Sequence, residues 1–230
     1  AGQERLQQSR VLVVGLGGLG CPAALYLAAA GVGELVLVDE DAVELSNLQR
    51  QIAHSEVDIG ANKARSAAAS IAALNPQVKL EILEQRLIES AMPALMSRVD
   101  LVLDATDNYP VRFALNRACI AAGVPLVSAA AVRSEGQLAV FDPARGGPCY
   151  RCLYVEGEEQ TALSCSESGV LAPLVGVVGS LQAMEALKVL SGYGEPLLGK
   201  LLVLDLRSME FRQLVLSARA DCPACSHLHC

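Results

Sequence analysis

A glycine-rich turn near the start of the chain constrains the fold more than any other feature. An apolar run at 11–14 leads into Gly15-Leu-Gly-Gly-Leu-Gly20, the pattern G-x-G-x-x-G, and an Ala-rich stretch follows it. Glycines permit a tight strand-to-helix turn, whose amides and helix N-terminus can then face phosphate oxygens. Asp39 closes the next apolar run, 19 residues after Gly20, at the position where a carboxylate accepts hydrogen bonds from a ribose. The sequence therefore predicts a nucleotide site.

The rest of the chain alternates short Val-, Leu- and Ile-rich runs with longer Ala-rich stretches. Nearly continuous apolar strands are typical of sheets buried on both faces, so we expect an α/β fold of Rossmann-like type. It would have a mostly parallel sheet with helices on both faces. The predicted strands are 10–14, 34–38, 78–83, 101–104, 126–130 and 137–141. The predicted helices are 19–30, 61–74, 91–98 and 110–122.

The pattern changes at 142–148, where Pro and Gly cluster. Beyond it we predict a polar loop at 156–168, an apolar helix at 173–190 and two strands at 200–205 and 210–216. These late strands would form a C-terminal antiparallel extension. Since no flexible linker separates the parts, we expect residues 1–230 to form one domain, with a nucleotide-binding part at 1–142 and a second part at 143–230.

Composition excludes several classes of protein. The 230 residues are 52% apolar with a net charge of −7, which argues against a disordered chain and against a general nucleic-acid binder. The apolar segment 11–38 contains six glycines and divides into strand, turn, helix and strand, so we do not expect it to span a membrane. No signal peptide is expected, because the first residues lack an apolar run. These features favour a cytoplasmic protein.

The glycine turn alone does not decide which nucleotide binds, because an NAD-dependent oxidoreductase would have the same turn. Arg50 lies in a polar stretch, Lys63 opens a predicted helix, and Asp107 follows the predicted strand 101–104. Ligands of parallel sheets bind at the carboxyl ends of the strands, where these side chains can meet. A magnesium triphosphate requires cations for its charge and a carboxylate for the metal. We therefore favour ATP with Mg²⁺.

Each of these three assignments has a plainer alternative. Arg50 could be a solvated charge in a loop, and Lys63 could be a lysine on the surface of a helix. Asp104 lies at the same strand end as Asp107. It is therefore the rival of Asp107, and it could instead cap the turn that follows or take part in substrate or metal contacts.

The eight cysteines include two Cys-x-x-Cys pairs, at 149 and 152 and at 222 and 225. Four thiolates can close a tetrahedral site, so Cys149, Cys152, Cys222 and Cys225 predict a structural Zn²⁺ site rather than a redox-active dithiol. The residues from His227 to Cys230 offer spare ligands, but we interpret them as a solvated tail. We expect the remaining helical cysteines, Cys21 and Cys119, to be small core residues.

A set of short motifs extends over the whole chain. They are G-L-G-G-L-G, N-L-Q-R-Q, G-A-N-K, D-A-T-D-N, C-Y-R-C, S-C-S-E-S-G-V, S-L-Q-A-M-E-A and C-P-A-C. With this set the chain resembles the ThiF/MoeB/HesA family, the bacterial relatives of ubiquitin-activating enzymes. The later segments are more similar to the MoeB-like branch, and the ThiF-like branch follows closely.

The resemblance implies an adenylyltransferase. The C-terminal Gly-Gly carboxylate of a small β-grasp sulfur-carrier protein would attack the α-phosphate of ATP, and pyrophosphate would leave. The MoeB-like branch implies a MoaD-like carrier of molybdenum cofactor biosynthesis, and a ThiS-like carrier of thiamine biosynthesis is the alternative. The 143–230 part would bind the carrier. A homodimer is also implied, sulfur can come from a separate sulfurtransferase, and neither nucleic acid nor a membrane is expected as a partner.

The resemblance also implies roles for individual residues. Asp39 would hold the ribose, Arg50 and Lys63 the phosphates, and Asp107 the Mg²⁺. Cys165 would transfer sulfur in the ThiF-like branch and would be dispensable for adenylation in the MoeB-like branch, so its role stays open. The remaining expected nucleotide contacts are Gly17, Gly18, Asn47, Gln51 and Asn108.

Overall fold

The computed structural model describes residues 1–157 and 169–228. In this part of the chain eight strands form one sheet. In chain order they are β1 Arg10–Val14, β2 Glu34–Val38, β3 Lys79–Leu83, β4 Leu101–Asp104, β5 Leu126–Val132, β6 Glu135–Phe141, β7 Lys200–Asp205 and β8 Glu210–Val215. Their order across the sheet is β3-β2-β1-β4-β5-β6-β7-β8.

The first five strands are parallel, which confirms the predicted mostly parallel sheet. Leu12 in β1 lies opposite Val36 in β2 on one side and opposite Val102 in β4 on the other. The strand order reverses beside β1, because β2 and β3 extend to one side of it and β4 and β5 to the other. A crevice opens at the carboxyl ends of strands at such a point, and ligands bind there.

Strands β7 and β8 are antiparallel, which confirms the predicted extension, and β6 is antiparallel as well. The antiparallel part begins at β6, because only Arg133 and Ser134 separate it from β5. A two-residue connection forms a hairpin, whereas a parallel pair needs a long crossover. Strand β8 is the far edge of the sheet, and each of its residues is exposed.

Helices cover both faces of the sheet. They are α1 Gly2–Gln8, α2 Gly20–Ala29, α3 Lys63–Leu74, α4 Met92–Met96, α5 Tyr109–Ala122, α6 Tyr150–Leu153 and α7 Ala172–Ser191. On one face Leu27 of α2, Ile71 of α3 and Val178 of α7 belong to the same buried core as Val13. Leu12, the neighbour of Val13, belongs to the core of the opposite face. Successive strand residues point to opposite faces, so both faces of β1 are buried, as the apolar strand pattern predicts.

Two segments are apolar enough to suggest a membrane span. The segment 11–38 forms β1, α2 and β2, as the sequence predicts. Within the described residues, α7 is the one helix whose length and hydropathy would allow a span, and 44% of its most apolar window is buried inside the protein. Its side chains at Leu174, Val178 and Gln182 are fully buried, and α7 packs against α2 and β5.

Helix α1 was not predicted. Leu6 is its one buried residue, so the segment has no helical apolar periodicity to detect. The helix is tied to the fold by tertiary contacts, among them a 3.0 Å hydrogen bond from the Gln3 amide to the carbonyl of Ala30. Such contacts are not visible in the local sequence.

Candidate active site

The glycine turn connects β1 to α2 and closes over the end of β4. Gly15 has φ +89°, and a Cβ there would lie 2.9 Å from the carbonyl oxygen of Ala105. A Cβ at Gly20 would lie 1.8 Å from the carbonyl oxygen of Gly15. Since any side chain at these two positions would collide with backbone, the turn can be this tight only with glycine.

Asp39 follows β2 directly and is tied to the glycine turn. Its carboxylate accepts hydrogen bonds from the backbone N–H of Leu16 at 2.7 Å and of Asp41 at 2.9 Å. Burial raises the pKa of Asp39 above its ordinary value, and the two N–H donors oppose that shift. The carboxylate is therefore fixed beside the turn, at the strand end where the sequence placed it.

A cavity of about 550 Å³ opens at the carboxyl ends of β1, β2 and β4. This is the crevice that the strand order creates. It brings together every residue that the sequence analysis assigned to the nucleotide. Those residues are Gly17, Gly18, Asp39, Asn47, Arg50, Gln51, Lys63, Asp107 and Asn108.

Lys63 is the first residue of α3 and is only 8% exposed. The helix begins there because the side chain of Asn62 caps it, accepting hydrogen bonds from the N–H groups of Ala64 and Arg65. The Lys63 ammonium forms a 2.8 Å ion pair with the carboxylate of Asp41. The alternative of a surface lysine is therefore wrong, and a buried cation faces the cavity.

Arg50 lies in the loop between β2 and α3 and is partly exposed. Its Nη1 donates to the carbonyl oxygen of Ser46 at 3.2 Å. A guanidinium has five N–H donors, so this bond leaves donor capacity for an anion in the cavity.

Asp104 and Asp107 differ sharply in surroundings, although both follow β4 closely. Asp104 is fully buried. Its carboxylate accepts from the N–H of Thr106 at 3.1 Å and from the hydroxyls of Thr106 and Ser128, both at 2.7 Å. Of the alternatives for Asp104, the structure thus shows the turn cap. Asp107 is exposed and lines the cavity, so its carboxylate is accessible to a ligand.

Three amide side chains shape the cavity wall. Gln51 is 3% exposed, and its Oε1 has no hydrogen-bond partner in the described part of the chain. Asn108 caps α5 by accepting from the N–H of Val111 at 3.1 Å, and Asn47 accepts from the N–H of Glu44 at 3.2 Å. Of these three side chains, Gln51 is therefore the one whose carbonyl oxygen is free to accept a hydrogen bond from a ligand.

Sequence reasoning missed two buried residues that support this site. The guanidinium of Arg112 lies 3.8 Å from the Asp104 carboxylate and donates to the carbonyl oxygen of Ala129 at 2.9 Å. The amide of Gln182 in α7 donates to the carbonyl oxygens of Asp104 at 2.7 Å and Val127 at 3.1 Å. Gln182 lies within the motif S-L-Q-A-M-E-A, and Arg112 is a polar residue within a predicted helix, but neither signal reveals the partner of the side chain.

The four cysteines of the two Cys-x-x-Cys pairs form one cluster, as predicted. The Sγ atoms are 3.7 Å apart for Cys149 and Cys222, 3.9 Å for Cys149 and Cys152, and 3.5 Å for Cys152 and Cys225. Zn–S bonds of about 2.3 Å in a tetrahedron separate neighbouring sulfurs by about 3.8 Å. The donor set and its spacing therefore fit Zn²⁺.

The other cysteines divide into two groups. Cys21 and Cys119 are buried, as predicted for core residues. Burial raises the pKa of the Cys21 thiol to about 12, so this thiol is protonated and unreactive at neutral pH. Cys165 and Cys230 lie outside the described residues.

A glycine turn, a fixed carboxylate beside it and two cations around one crevice define a nucleotide-binding α/β protein, here with a four-cysteine cluster. The chain belongs to the ThiF family, whose model matches residues 1–224. This match confirms the resemblance that the sequence motifs carry.

Two curated relatives are similar over nearly the whole chain. Molybdopterin-synthase adenylyltransferase of Escherichia coli (strain K12) is 52% identical over 225 residues, which covers 97% of this chain and 90% of that protein. Sulfur carrier protein ThiS adenylyltransferase of the same organism is 47% identical over 224 residues, which covers 97% and 88%. Both names give the enzyme class that the sequence predicts, and the higher identity to the first agrees with the MoeB-like resemblance.

Among solved structures, E. coli MccB with ATP has a TM-score of 0.87 at 23% identity. The match covers 97% of this chain and 68% of that one. At this identity the likeness shows the fold, which agrees with the predicted α/β architecture.

Proposed function

We propose that this protein is an ATP-dependent adenylyltransferase acting on the C-terminal Gly-Gly carboxylate of a small ubiquitin-like sulfur-carrier protein. The observation that carries the proposal is the convergence of Asp39, Arg50, Lys63 and Asp107 on one cavity beside the glycine turn. The 52% identity to molybdopterin-synthase adenylyltransferase supports a MoaD-like carrier and a place in molybdenum cofactor biosynthesis.

In this reaction a carboxylate oxygen of the carrier forms a bond to the α-phosphorus of ATP. The bond between that phosphorus and the bridging oxygen breaks, and pyrophosphate leaves with the bonding electrons. A carboxylate is already ionised at neutral pH, so its attack requires no general base. The site therefore has to align the reacting oxygens and stabilise the charge that develops on them.

Arg50 and Lys63 supply that positive charge. The Lys63 side chain is 10% exposed, whereas its partner Asp41 is 62% exposed. Asp41 therefore holds the ammonium in the cavity from the solvent side, and an incoming phosphate can replace or share this contact. Arg50 adds planar donors that suit two phosphate oxygens at once.

Asp107 is the residue that would hold Mg²⁺. The carboxylate oxygens of Asp104 already accept three hydrogen bonds, whereas Asp107 is exposed in the cavity. Bound Mg²⁺ would neutralise phosphate charge and orient the leaving pyrophosphate.

Asp39 would bind the ribose. Its carboxylate uses two of about four acceptor positions on backbone N–H groups, which leaves positions for ribose hydroxyls. Gly17 and Gly18 would let the phosphates approach the backbone, while Asn47, Gln51 and Asn108 would contact the nucleotide along the wall. Among them, Gln51 has the unused acceptor.

We assign Zn²⁺ to the four-cysteine cluster as a structural ion. A site closed by four thiolates has no open position for a substrate. Cys149 is the N-cap of α6 and Cys152 lies within this helix, whereas the other pair lies beyond β8. The ion would therefore tie the segment after β8 to the segment after β6. Residues 1–230 would then act as one adenylation domain, with the nucleotide on 1–142 and the carrier on 143–230.

The second candidate is the adenylation of a ThiS-like carrier of thiamine biosynthesis, favoured by the 47% identity to the ThiS adenylyltransferase. Cys165 would then take part in sulfur transfer. We further propose a cytoplasmic homodimer that receives sulfur from a separate sulfurtransferase. An NAD-dependent oxidoreductase is disfavoured, because hydride transfer requires neither Lys63 nor Asp107 in the cavity.

Exchange of labelled pyrophosphate into ATP tests the function and separates the two carriers. Purified protein is incubated with MgATP and either a MoaD-like or a ThiS-like carrier, and each carrier is matched by a version without its two terminal glycines. Of these four carrier proteins, we expect only the intact MoaD-like carrier to support exchange. Faster exchange with the ThiS-like carrier would favour the second candidate. No exchange with either intact carrier, together with NAD binding, would refute both.

A further inference from the structure

His54 is a buried residue outside the nucleotide motifs, yet its ring contacts the glycine turn. The imidazole Nε2 lies 3.0 Å from the carbonyl oxygen of Leu16, inside the turn. Its Nδ1 lies 2.8 Å from the hydroxyl of Ser66 on α3. Histidine is 7% exposed at this position, so water does not compete strongly for either contact.

The partners of the ring determine where its proton resides. A carbonyl oxygen only accepts, so Nε2 must carry the hydrogen in its contact with Leu16. In a neutral ring Nδ1 then accepts, and the Ser66 hydroxyl donates to it. Burial lowers the pKa of His54 below its ordinary value of 6.5, which favours the neutral ring.

The contact with Leu16 determines how the next peptide group is oriented. In a trans peptide the carbonyl oxygen and the following N–H point in opposite directions. The Leu16 carbonyl points inward, to His54 and to the Cys21 thiol, which donates to it at 3.1 Å. The Leu16 N–H is held by Asp39 at 2.7 Å. The N–H of Gly17 must therefore point away from His54, and Gly17 lines the nucleotide cavity.

His54 also belongs to the loop that carries two proposed nucleotide contacts. Its own N–H donates to the carbonyl oxygen of Gln51 at 3.1 Å, and the N–H of Gln51 donates to the carbonyl oxygen of Asn47 at 3.0 Å. The same ring thus connects this loop, the glycine turn and the first turns of α3, where Lys63 begins the helix.

We propose that His54 is a positioning residue that holds the Leu16–Gly17 peptide with its N–H toward the phosphates of the bound nucleotide. The ring contacts Leu16 and Ser66, and the Cys21 thiol lies 3.5 Å from its Nε2. The ring acts on the nucleotide only through the turn. This role rests on the proposed function in one respect, namely that the cavity takes ATP.

The test combines nucleotide affinity with a spectroscopic readout on four variants. His54→Leu removes the hydrogen bonds of the ring to Leu16 and Ser66, and His54→Gln keeps an N–H donor of similar reach. Ser66→Ala removes the hydroxyl that donates to Nδ1 and so supports the tautomer with its hydrogen on Nε2. Ser70→Ala is the matched control, because Ser70 lies one turn further along α3 and donates to the carbonyl oxygen of Ala53 at 2.6 Å without contacting the ring.

Calorimetry with MgATP, without any carrier, measures the affinity of each folded variant. From the loss of one hydrogen bond near a charged ligand we expect about 10-fold weaker binding for His54→Leu, about 3-fold for Ser66→Ala, and little change for Ser70→Ala. His54→Gln should recover most of the affinity that His54→Leu loses. Equal affinity of wild type and Ser66→Ala, or no recovery with glutamine, would overturn the proposal.

Nitrogen-15 NMR of the wild-type imidazole tests the placement without any nucleotide. We expect His54 to carry its hydrogen on Nε2 at neutral pH, and we expect Ser66→Ala to raise the share of the Nδ1–H form. A wild-type ring with the hydrogen on Nδ1 alone would overturn the proposal. A wild-type protein that does not bind MgATP would instead refute the proposed function, while the NMR result would still decide the placement of the ring.

Discussion

The nucleotide cavity and the four-cysteine cluster are built in opposite ways. In the cavity, Lys63 and Asp39 are anchored at the start of a helix and the end of a strand, and Asp107 stays exposed. In the cluster, the sulfurs of neighbouring cysteines lie within 3.9 Å of one another, and Cys149, Cys222 and Cys225 are fully buried. An open arrangement of fixed charges suits chemistry, whereas a closed set of thiolates suits stability. Substitutions in the two regions should therefore have different consequences.

The largest expected effect is on the reaction, at Asp107. Asp107→Ala removes the proposed metal ligand from an exposed position, so the fold should persist while carrier-stimulated pyrophosphate exchange falls by about 10³-fold. Initial rates of exchange at saturating MgATP measure the loss. Exchange at a near-normal rate would remove Asp107 from the mechanism.

Asp104→Ala is the matched comparison at the same strand end. It leaves the buried Arg112 without its carboxylate, and breaking such a buried pair costs about 3–5 kcal/mol of unfolding free energy. Urea denaturation should therefore show a marked loss of stability for Asp104→Ala and almost none for Asp107→Ala. A larger loss of stability for Asp107→Ala than for Asp104→Ala would contradict the assignment of Asp104 as the structural carboxylate and Asp107 as the metal ligand.

The second largest effect is expected at the four-cysteine cluster, where a substitution should change the metal content and the stability of the protein. Cys149→Ser should abolish bound zinc, which we expect at one ion per chain in the wild type, and should lower Tm. Elemental analysis of purified protein measures the stoichiometry. Cys119→Ser is the control, since Cys119 is also buried but lies outside the cluster. Unchanged zinc in Cys149→Ser would refute the four-cysteine site.

A smaller effect is expected at Lys63. Lys63→Ala removes a cation that is paired and 8% exposed, and the loss of a charge-assisted contact to phosphate should raise KM for ATP by about 10- to 100-fold. Steady-state exchange rates over a range of ATP concentrations give this value. Arg65→Ala, two residues further along α3 at an exposed ion pair, should leave KM unchanged. If the two variants have the same KM, Lys63 is not a phosphate contact.

The smallest expected effect concerns His54 and the way the free energy of unfolding depends on pH. Burial lowers the pKa of His54 below 6.5, and Lys63 nearby lowers it further. The hydrogen bond to the Leu16 carbonyl and the charges of Asp58 and Asp39 oppose this shift. Between the lowered pKa of the folded protein and the ordinary value of 6.5, the unfolded chain binds more protons than the folded one. The free energy of unfolding should therefore fall as the pH decreases below about 6.5. Denaturation of wild type and His54→Gln between about pH 7 and pH 5 should show the flatter dependence in the variant. Parallel curves would mean that His54 is not titrating as described.

Much of the nucleotide cavity was predictable from the sequence. Apolar runs marked each parallel strand, and the glycine turn together with Asp39 identified the strand, turn and helix. Because parallel strands end at one edge, residues as distant as Arg50 and Asp107 could be expected to meet there. The two Cys-x-x-Cys pairs likewise predicted a shared site.

What sequence could not supply were contacts between distant parts of the chain. Asp104 and Asp107 are three residues apart. Besides its local bonds to Thr106, Asp104 is held by two distant groups, the hydroxyl of Ser128 and the guanidinium of Arg112. Ring contacts on both sides of His54, and the bond from Gln182 to the end of β4, depend in the same way on tertiary neighbours. Local pattern carries no information about such partners.

Intact-mass spectrometry of the carrier tests the central claim most directly. A MoaD-like carrier with its terminal Gly-Gly is incubated with the protein, MgATP and pyrophosphatase, which prevents reversal. We predict that the carrier gains one adenylyl group at its C-terminus, and that it gains none with Asp107→Ala or after loss of the two glycines. An intact carrier that stays unmodified beside a folded, ATP-binding protein would contradict the account.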